Sequence, residues 1–258
     1  MDSIEGEFNL YLPLLVPVPG RENHILVYKT ESHATISMEL LRSHSRGISI
    51  FGNIGEITKL MLAKALRTIL YDGFPEPFEL KVTANTESKC FTPSIIVGAV
   101  AQLIELGSSV YEESFSQDDK DEIIEGLLSE RLKLHYGIGI LISRAMRASA
   151  SLIGSPASGS TEFGSFSIYA KPYGVTRISA NPFLDEGTSD LLAKLNSYVL
   201  VQHYLSVKHS NELRRRTAER GINASIHFLY GTRVPSEGVL SPDSRTRFCL
   251  YKIGEERR

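Results

Sequence analysis

FELKVTANTESKCFTPSIIVGAVAQLIEL, residues 78–106, reads as a strand, a polar loop and a long apolar helix, and the rest of the chain is organised around it. Phe78 to Thr83 alternates as a half-buried strand does. From about Pro93 to Leu106 the helix is apolar almost all round (Ile95, Ile96, Val97, Val100, Leu103 and Ile104), the signature of a helix buried on several sides. Pro93 suits a first turn, where no N–H is needed, and Thr92 is a sound N-cap. A loop that feeds a helix N-terminus aims backbone N–H groups and the positive end of the helix dipole beyond itself, so this junction is a candidate anion site. Lys89, Thr92 and Ser94 are its candidate phosphate-binding side chains.

Upstream, Phe8 to Val18 is apolar but interrupted by Pro13 and Pro17, which predicts an edge strand or extended arm ending at Pro19-Gly20. His24 to Lys29 and Thr35 to Leu41 read as two strands across a turn at Glu31-Ser32, and Ile48 to Phe51 as a third. Glu56 to Leu70 is an amphipathic helix, with Ile57, Leu60, Met61, Ala65, Leu66 and Ile69 at the three-four spacing. Downstream, Ser116 caps an acidic helix with Asp118 and Asp119 in its first turn, where capping is the leading reading and metal ligation the lesser one. A further helix spans Ile140 to Leu152, and Phe166 to Tyr169 with Thr176 to Ala180 form a strand pair. The final part predicts a helix over Leu191 to Leu205, a short arginine-rich helix over Glu212 to Arg220 ended by Gly221, a strand over Ile222 to Tyr230, a loop over Pro235 to Asp243, and a closing strand over Thr246 to Ile253.

Composition excludes several classes. The chain of 258 residues is 42% hydrophobic and 22% charged, ordinary for a globular protein, and its net charge of −2 gives no global drive toward nucleic acid or an anionic membrane. No apolar run approaches the roughly 18 to 20 residues that span a bilayer, and Asp2, Glu5 and Glu7 stand where a signal peptide would be basic. Cys90 and Cys249 lie far apart, which argues against a disulfide scaffold or a CxxC zinc cluster and for a reducing, cytoplasmic setting. The seven histidines form no HxxxH or HExxH pair, so no metal site is expected. GxGxxG, GxxxxGK[ST] and GxSxG are all absent.

Two further stretches are candidates for ligand contact. Gly154 to Gly164, GSPASGSTEFG, offers small side chains and close backbone approach, so Ser155, Ser158, Gly159, Ser160 and Thr161 join the candidate phosphate-binding set; on composition alone a surface linker is the plainer reading. Arg214, Arg215, Arg216 and Arg220 form the densest basic patch, spread too widely round a helix for all four to point one way. A solvated helix with local ion pairs is its plain reading, and nucleic-acid contact the alternative.

The order TISMELL, GISIFGN, EITKLMLAKALRTIL, FELKVTAN, loop, TPSIIVGAVAQLIEL resembles the superfamily of small-molecule kinases named for galactokinase, homoserine kinase, mevalonate kinase and phosphomevalonate kinase. In that family the loop carries a glycine- and serine-rich phosphate motif that flows into the apolar helix. The resemblance puts Thr92 and Ser94 at its hydroxyl positions, while Lys89, Cys90, Phe91 and Pro93 replace its glycines. Lys89 would then supply a point charge in their place, and ordinary ATP use at this loop is not expected. Tyr230-Gly231-Thr232 to Gly238 stands where the family has its carboxy-terminal glycine-rich motif. The expectation is an α+β (mixed α/β) fold, a mixed sheet packed by two or three helices, with a first domain over residues 1–182 and a small C-terminal subdomain over 183–258. The function expected is binding of a small phosphorylated metabolite between the 85–94 and 154–164 loops, by a transferase or a non-kinase relative; the alternative is a nucleic-acid or protein-interaction module using residues 212–220.

Overall fold

The computed structural model describes residues 2–112, 114–157, 159–178 and 184–254, which form an α+β fold of two sheets and six α-helices. Strand β1 (Asp2–Leu14) runs antiparallel to β2 (Ile25–Arg42) along their whole length, from Asp2↔Leu40 to Leu14↔Leu26. Because β1 pairs only with β2, the missing N–H of Pro13 costs no ladder bond on its outer edge. The opposite edge of β2 is shared by two strands. Its C-terminal half pairs with β4 (Phe78–Thr86) and its first residues with β5 (Ser151–Ser155). Strand β3 (Gly47–Phe51) adds parallel to β4, and β6 (Gly159–Gly164) adds antiparallel to β5.

Helix α1 (Glu56–Gly73) connects β3 to β4 and buries Leu62, Ala65, Leu66 and Leu70. Helix α2 (Thr92–Tyr111) lies at the centre of the core, packed on α1, β1 and α4 (Ile138–Ala148). Its approach to the sheet is close enough that a Cβ at Gly98 would stand 2.3 Å from the Phe8 ring, so glycine is required there. Among the described residues α2 is the one helix long and apolar enough to cross a membrane, yet most of it is buried inside the protein. Helix α3 (Gln117–Glu125) begins with the expected capping box between Ser116 and Asp119 and passes into a π-helical segment, Gly126–Arg131. The second sheet has the order β7 (Tyr169–Arg177), β9 (Arg247–Gly254), β8 (Val239–Ser244). Helices α5 (Glu186–Lys208) and α6 (Glu212–Tyr230) pack on each other; α5 reaches β2 and α6 reaches β8. One core joins all of this, from Leu10 and Ile36 through Val100 to Leu200, Ile226 and Phe248. The boundary expected near residue 182 lies outside the described residues.

Several expectations change. The turn at Glu31-Ser32 does not exist, because β2 continues through it: Thr30 Oγ1 donates to Leu10 O at 2.7 Å and Ile168 bridges to Lys29 and Glu31. Leu60 is exposed rather than on the apolar face of α1. The Gly/Ser stretch is a hairpin of β5 and β6, turned at Gly159 with φ +85°, and β7 is one strand where two were expected. The largest difference is at α6. Gly221 does not end the helix; it packs against Val199 of α5, and Ile222, Ile226 and Leu229 continue the buried stripe. Residues expected to be a loop, 239–243, belong to β8.

Candidate functional site

The start of α2 is built as an anion site would be, and the protein fills it from within. Phe91 stands at the N-cap with φ +68°, so Thr92 is the first helical residue and not the cap. The N–H of Thr92 donates to Asp243 Oδ1 at 3.1 Å, across 151 residues of sequence, and the N–H of Phe91 donates to the Tyr251 hydroxyl at 3.2 Å. A carboxylate at a helix N-terminus is the same physical solution as a bound phosphate oxygen. The other oxygen of Asp243 pairs with Arg247, whose Nε lies 2.8 Å away. Thr92 Oγ1 shares a hydrogen bond with Thr58 Oγ1 at 2.8 Å, and Ser94 Oγ accepts from the Tyr11 N–H at 2.9 Å. Both hydroxyls are fully buried. They tie α2 to α1 and β1, and neither is open to a ligand. Lys89 is exposed beside this closed junction.

A disulfide between Cys90 and Cys249 fastens the same junction to β9. This corrects the reading that their separation argues against a disulfide scaffold: sequence separation said nothing about space, because β9 returns to the start of α2. Cys90, Asp243 and Cys249 also place their ligand atoms within 4.8 Å of one another, a grouping that could hold a metal ion and that motif spacing did not reveal. In this state the two sulfurs are bonded to each other, and the carboxylate is engaged by Thr92 and Arg247.

The 154–164 stretch forms a β-hairpin at the edge of the first sheet. Ser155 is buried, Ser160 and Thr161 lie on β6, and Ser158 is outside the described residues. Gly154 is there for close approach, since a Cβ would fall 2.3 Å from Gly159 O.

An open polar cavity lies elsewhere among the described residues. Along α6, Glu212, Arg215, Arg216, Glu219, Arg220 and Asn223 recur at helical spacing and form one stripe, which lines a cavity of about 340 Å³. Three of the four arginines therefore do share a face, and Arg214 departs from it. The far wall is residues 235–238 and Lys252 of β9. Asn223 holds the walls together: its Nδ2 donates to Gly238 O at 2.7 Å and its Oδ1 accepts from Leu240 N at 3.0 Å. Gly238 has φ +78°, and a Cβ there would meet Tyr251 O at 2.3 Å. An adjoining pocket of about 220 Å³ shares Glu212, Arg215 and Ile253 and adds Ser210 and Asn211, so the two make one elongated polar cleft.

Charge in the cleft is partly cancelled. Glu212 accepts from Arg215 Nε at 3.0 Å and Arg216 Nε at 2.7 Å, and Arg216 beside it holds its carboxyl below the usual range. Lys252 pairs with Glu237 at 3.1 Å and lowers that carboxyl likewise. Arg220 has no ion-pair partner among the described residues, so it is the cation left free for a ligand. Behind the stripe, the buried Glu219 lies 3.5 Å from Arg215 and 3.7 Å from Nε2 of His203, whose Nδ1 is 2.9 Å from the Tyr28 hydroxyl. Burial lowers the pKa of His203 and raises that of Tyr28, so both are neutral. At 3.7 Å, Nε2 of His203 and Oε1 of Glu219 are too far apart for a hydrogen bond, and among the described residues neither of these buried atoms has a hydrogen-bond partner. The cleft thus presents cations for an anionic group and a carboxylate able to accept a hydrogen bond, or a proton, from a ligand hydroxyl.

No protein-family model matches the chain, and no curated protein matches it in sequence. Solved structures do match. Methanococcus jannaschii mevalonate kinase is similar with a TM-score of 0.58 at 10% identity, over 98% of this chain and 91% of that one. L. major mevalonate kinase in complex with R-mevalonate gives 0.56 at 7% identity, over 97% and 88%. Mevalonate pyrophosphate decarboxylase from Streptococcus pyogenes gives 0.55 at 7% identity, over 97% and 90%. The chain therefore has the fold of the galactokinase, homoserine kinase, mevalonate kinase and phosphomevalonate kinase superfamily, along nearly its whole length.

Proposed function

We propose that this protein is a non-kinase version of the fold that binds a small phosphorylated metabolite in the cleft between α6 and β9. The observation that carries the reading is the α6 stripe, where Arg215, Arg216 and Arg220 converge with Lys252 on one polar cavity and Arg220 has no ion-pair partner among the described residues. A phosphomonoester suits it because the net excess of positive charge is small, and the Ser210–Asn211 end offers hydrogen bonds to a hydroxylated body. Triphosphate binding at the start of α2 is disfavoured for a separate reason: Asp243 already takes the Thr92 N–H, and its negative charge repels a second anion. Nucleic-acid contact through the same arginines has less support, since Arg215 and Arg216 are both engaged by Glu212.

Calorimetry with inorganic phosphate, a hexose 6-phosphate and ATP tests the reading. The hexose phosphate is expected to bind most tightly, and Arg220→Ala to weaken it about 5- to 30-fold, the ~1–2 kcal/mol of one charge-assisted contact. Lys89→Ala should leave it unchanged. Loss of binding in Lys89→Ala with none in Arg220→Ala would return the site to the 85–94 loop, and absence of binding by every phosphomonoester would end the proposal.

A further inference from the structure

A second cavity, of about 360 Å³, lies between the C-terminal halves of α1 and α2 and the α3–π-helical segment, and it shares no lining residue with the polar cleft. Its inner wall is apolar, formed by Ile69, Phe74, Leu103, Ile104, Ile123 and Leu127. Two features of the chain keep it open. Gly126 lines it, and a Cβ there would meet nothing within 4 Å, so the hollow is partly the room of an absent side chain. In addition, α3 widens into the π-helical turn at Gly126, where Leu132 N bonds to Leu127 O at 3.0 Å; such turns inside helices recur at functional sites.

The mouth of this hollow is acidic. Asp72, Glu122, Glu130 and Arg131 border it. Arg131 faces Asp72 at 3.9 Å, while Glu122 and Glu130 have no ion-pair partner among the described residues. Of the other cations, Lys64 and Arg67 line a shallow groove that also takes in Asp72 and Arg131, with Lys64 Nζ donating to Arg131 O at 2.7 Å, and Arg46 Nη2 is spent on Phe74 O at 2.7 Å. An apolar hollow with two uncompensated carboxylates at its edge is complementary to one kind of occupant.

The geometry points to a binding site for a small amphiphilic cation, an alkyl or aryl group in the hollow with an ammonium at Glu122 and Glu130. The volume falls at the lower end of the ~300–1,000 Å³ of small-molecule pockets, so the apolar part is short. Neutral and anionic ligands of the same shape gain the apolar contact without the charge, and the anion is repelled.

Calorimetry on the full chain with octylammonium, octanol and octanoate separates these terms. The expected order of affinity is ammonium, alcohol, carboxylate, with Kd for octylammonium at least about tenfold below that for octanoate. Gly126 has helical angles, φ −56° and ψ −39°, so Gly126→Leu is allowed by the backbone and fills the hollow. That variant is expected to unfold at or above the native midpoint and to bind none of the three. Glu122→Gln with Glu130→Gln should keep octanol binding and erase the preference for the cation, and it decides the matter if Gly126→Leu does not fold. Equal affinity for the three ligands, no binding of octylammonium, or undiminished binding by a folded Gly126→Leu protein would overturn the assignment.

Discussion

The start of α2 and the stripe of α6 both suit an anion, one through the N–H groups that a helix leaves without intrahelical partners and the other through its arginines. They differ in where the partner comes from. At α2 the chain supplies it, by bringing Asp243, Tyr251 and Cys249 from the second sheet onto the helix end. At α6 the acids Glu212 and Glu219 lie on the same helix and satisfy the arginines only in part, leaving Arg220 over an open cavity. The lesson is that a favourable field marks a site only when nothing inside the molecule already answers it.

That contrast can be broken by experiment. The largest effect expected is from the bond that locks the α2 junction: Cys90→Ser with Cys249→Ser should cost about 4–5 kcal/mol in urea unfolding, because the closed loop spans 159 residues. Next, Asp243→Ala leaves the largely buried Arg247 without its carboxylate and should cost about 3 kcal/mol. The same variant vacates the position at Thr92, so phosphate is expected to raise its unfolding midpoint and not that of the native protein. If phosphate stabilises neither, the helix end is not an anion site in any form. On the α6 side, Arg220→Ala should leave unfolding within about 0.5 kcal/mol of native while weakening the phosphomonoester as stated.

A smaller effect is a pH dependence. Burial holds His203 below its usual pKa and His135 at about 4, so each binds its proton more readily in the unfolded chain. The stability they contribute is complete above about pH 6.5 and is lost as pH falls toward the folded values, on the order of 1 kcal/mol per pH unit for each. Urea midpoints between pH 7.5 and 5 should fall accordingly, and His203→Gln should flatten the slope. Smallest of all, Glu212→Gln, at an exposed pair, should change stability by about 0.5 kcal/mol or less.

The sequence carried what is local. Helix α2 was legible because its residues are apolar on every side, and β4 because its alternation is unbroken from Phe78 to Thr86. The order of these elements also led to the superfamily fold that the solved structures share. Glu31-Ser32 misled because polar residues within a strand and polar residues in a turn look alike until a partner strand is known. INASIHFLY misled because its apolar residues satisfy both periods, and Gly221 was read as a stop where it is a helix-helix contact. The α6 stripe was within reach: continuing the helix past Gly221 puts Arg215, Arg216, Glu219, Arg220 and Asn223 on one face. Asp243 was not, since nothing near Thr92 signals a carboxylate 151 positions away.

The Cys90–Cys249 bond also makes most of this molecule a covalent ring, with residues 1–89 and 250–258 as its two free arms. A protease that cuts any one exposed loop inside the ring opens it without releasing a fragment. The nicked protein keeps its full mass on a non-reducing gel and separates into two pieces only when a thiol is added.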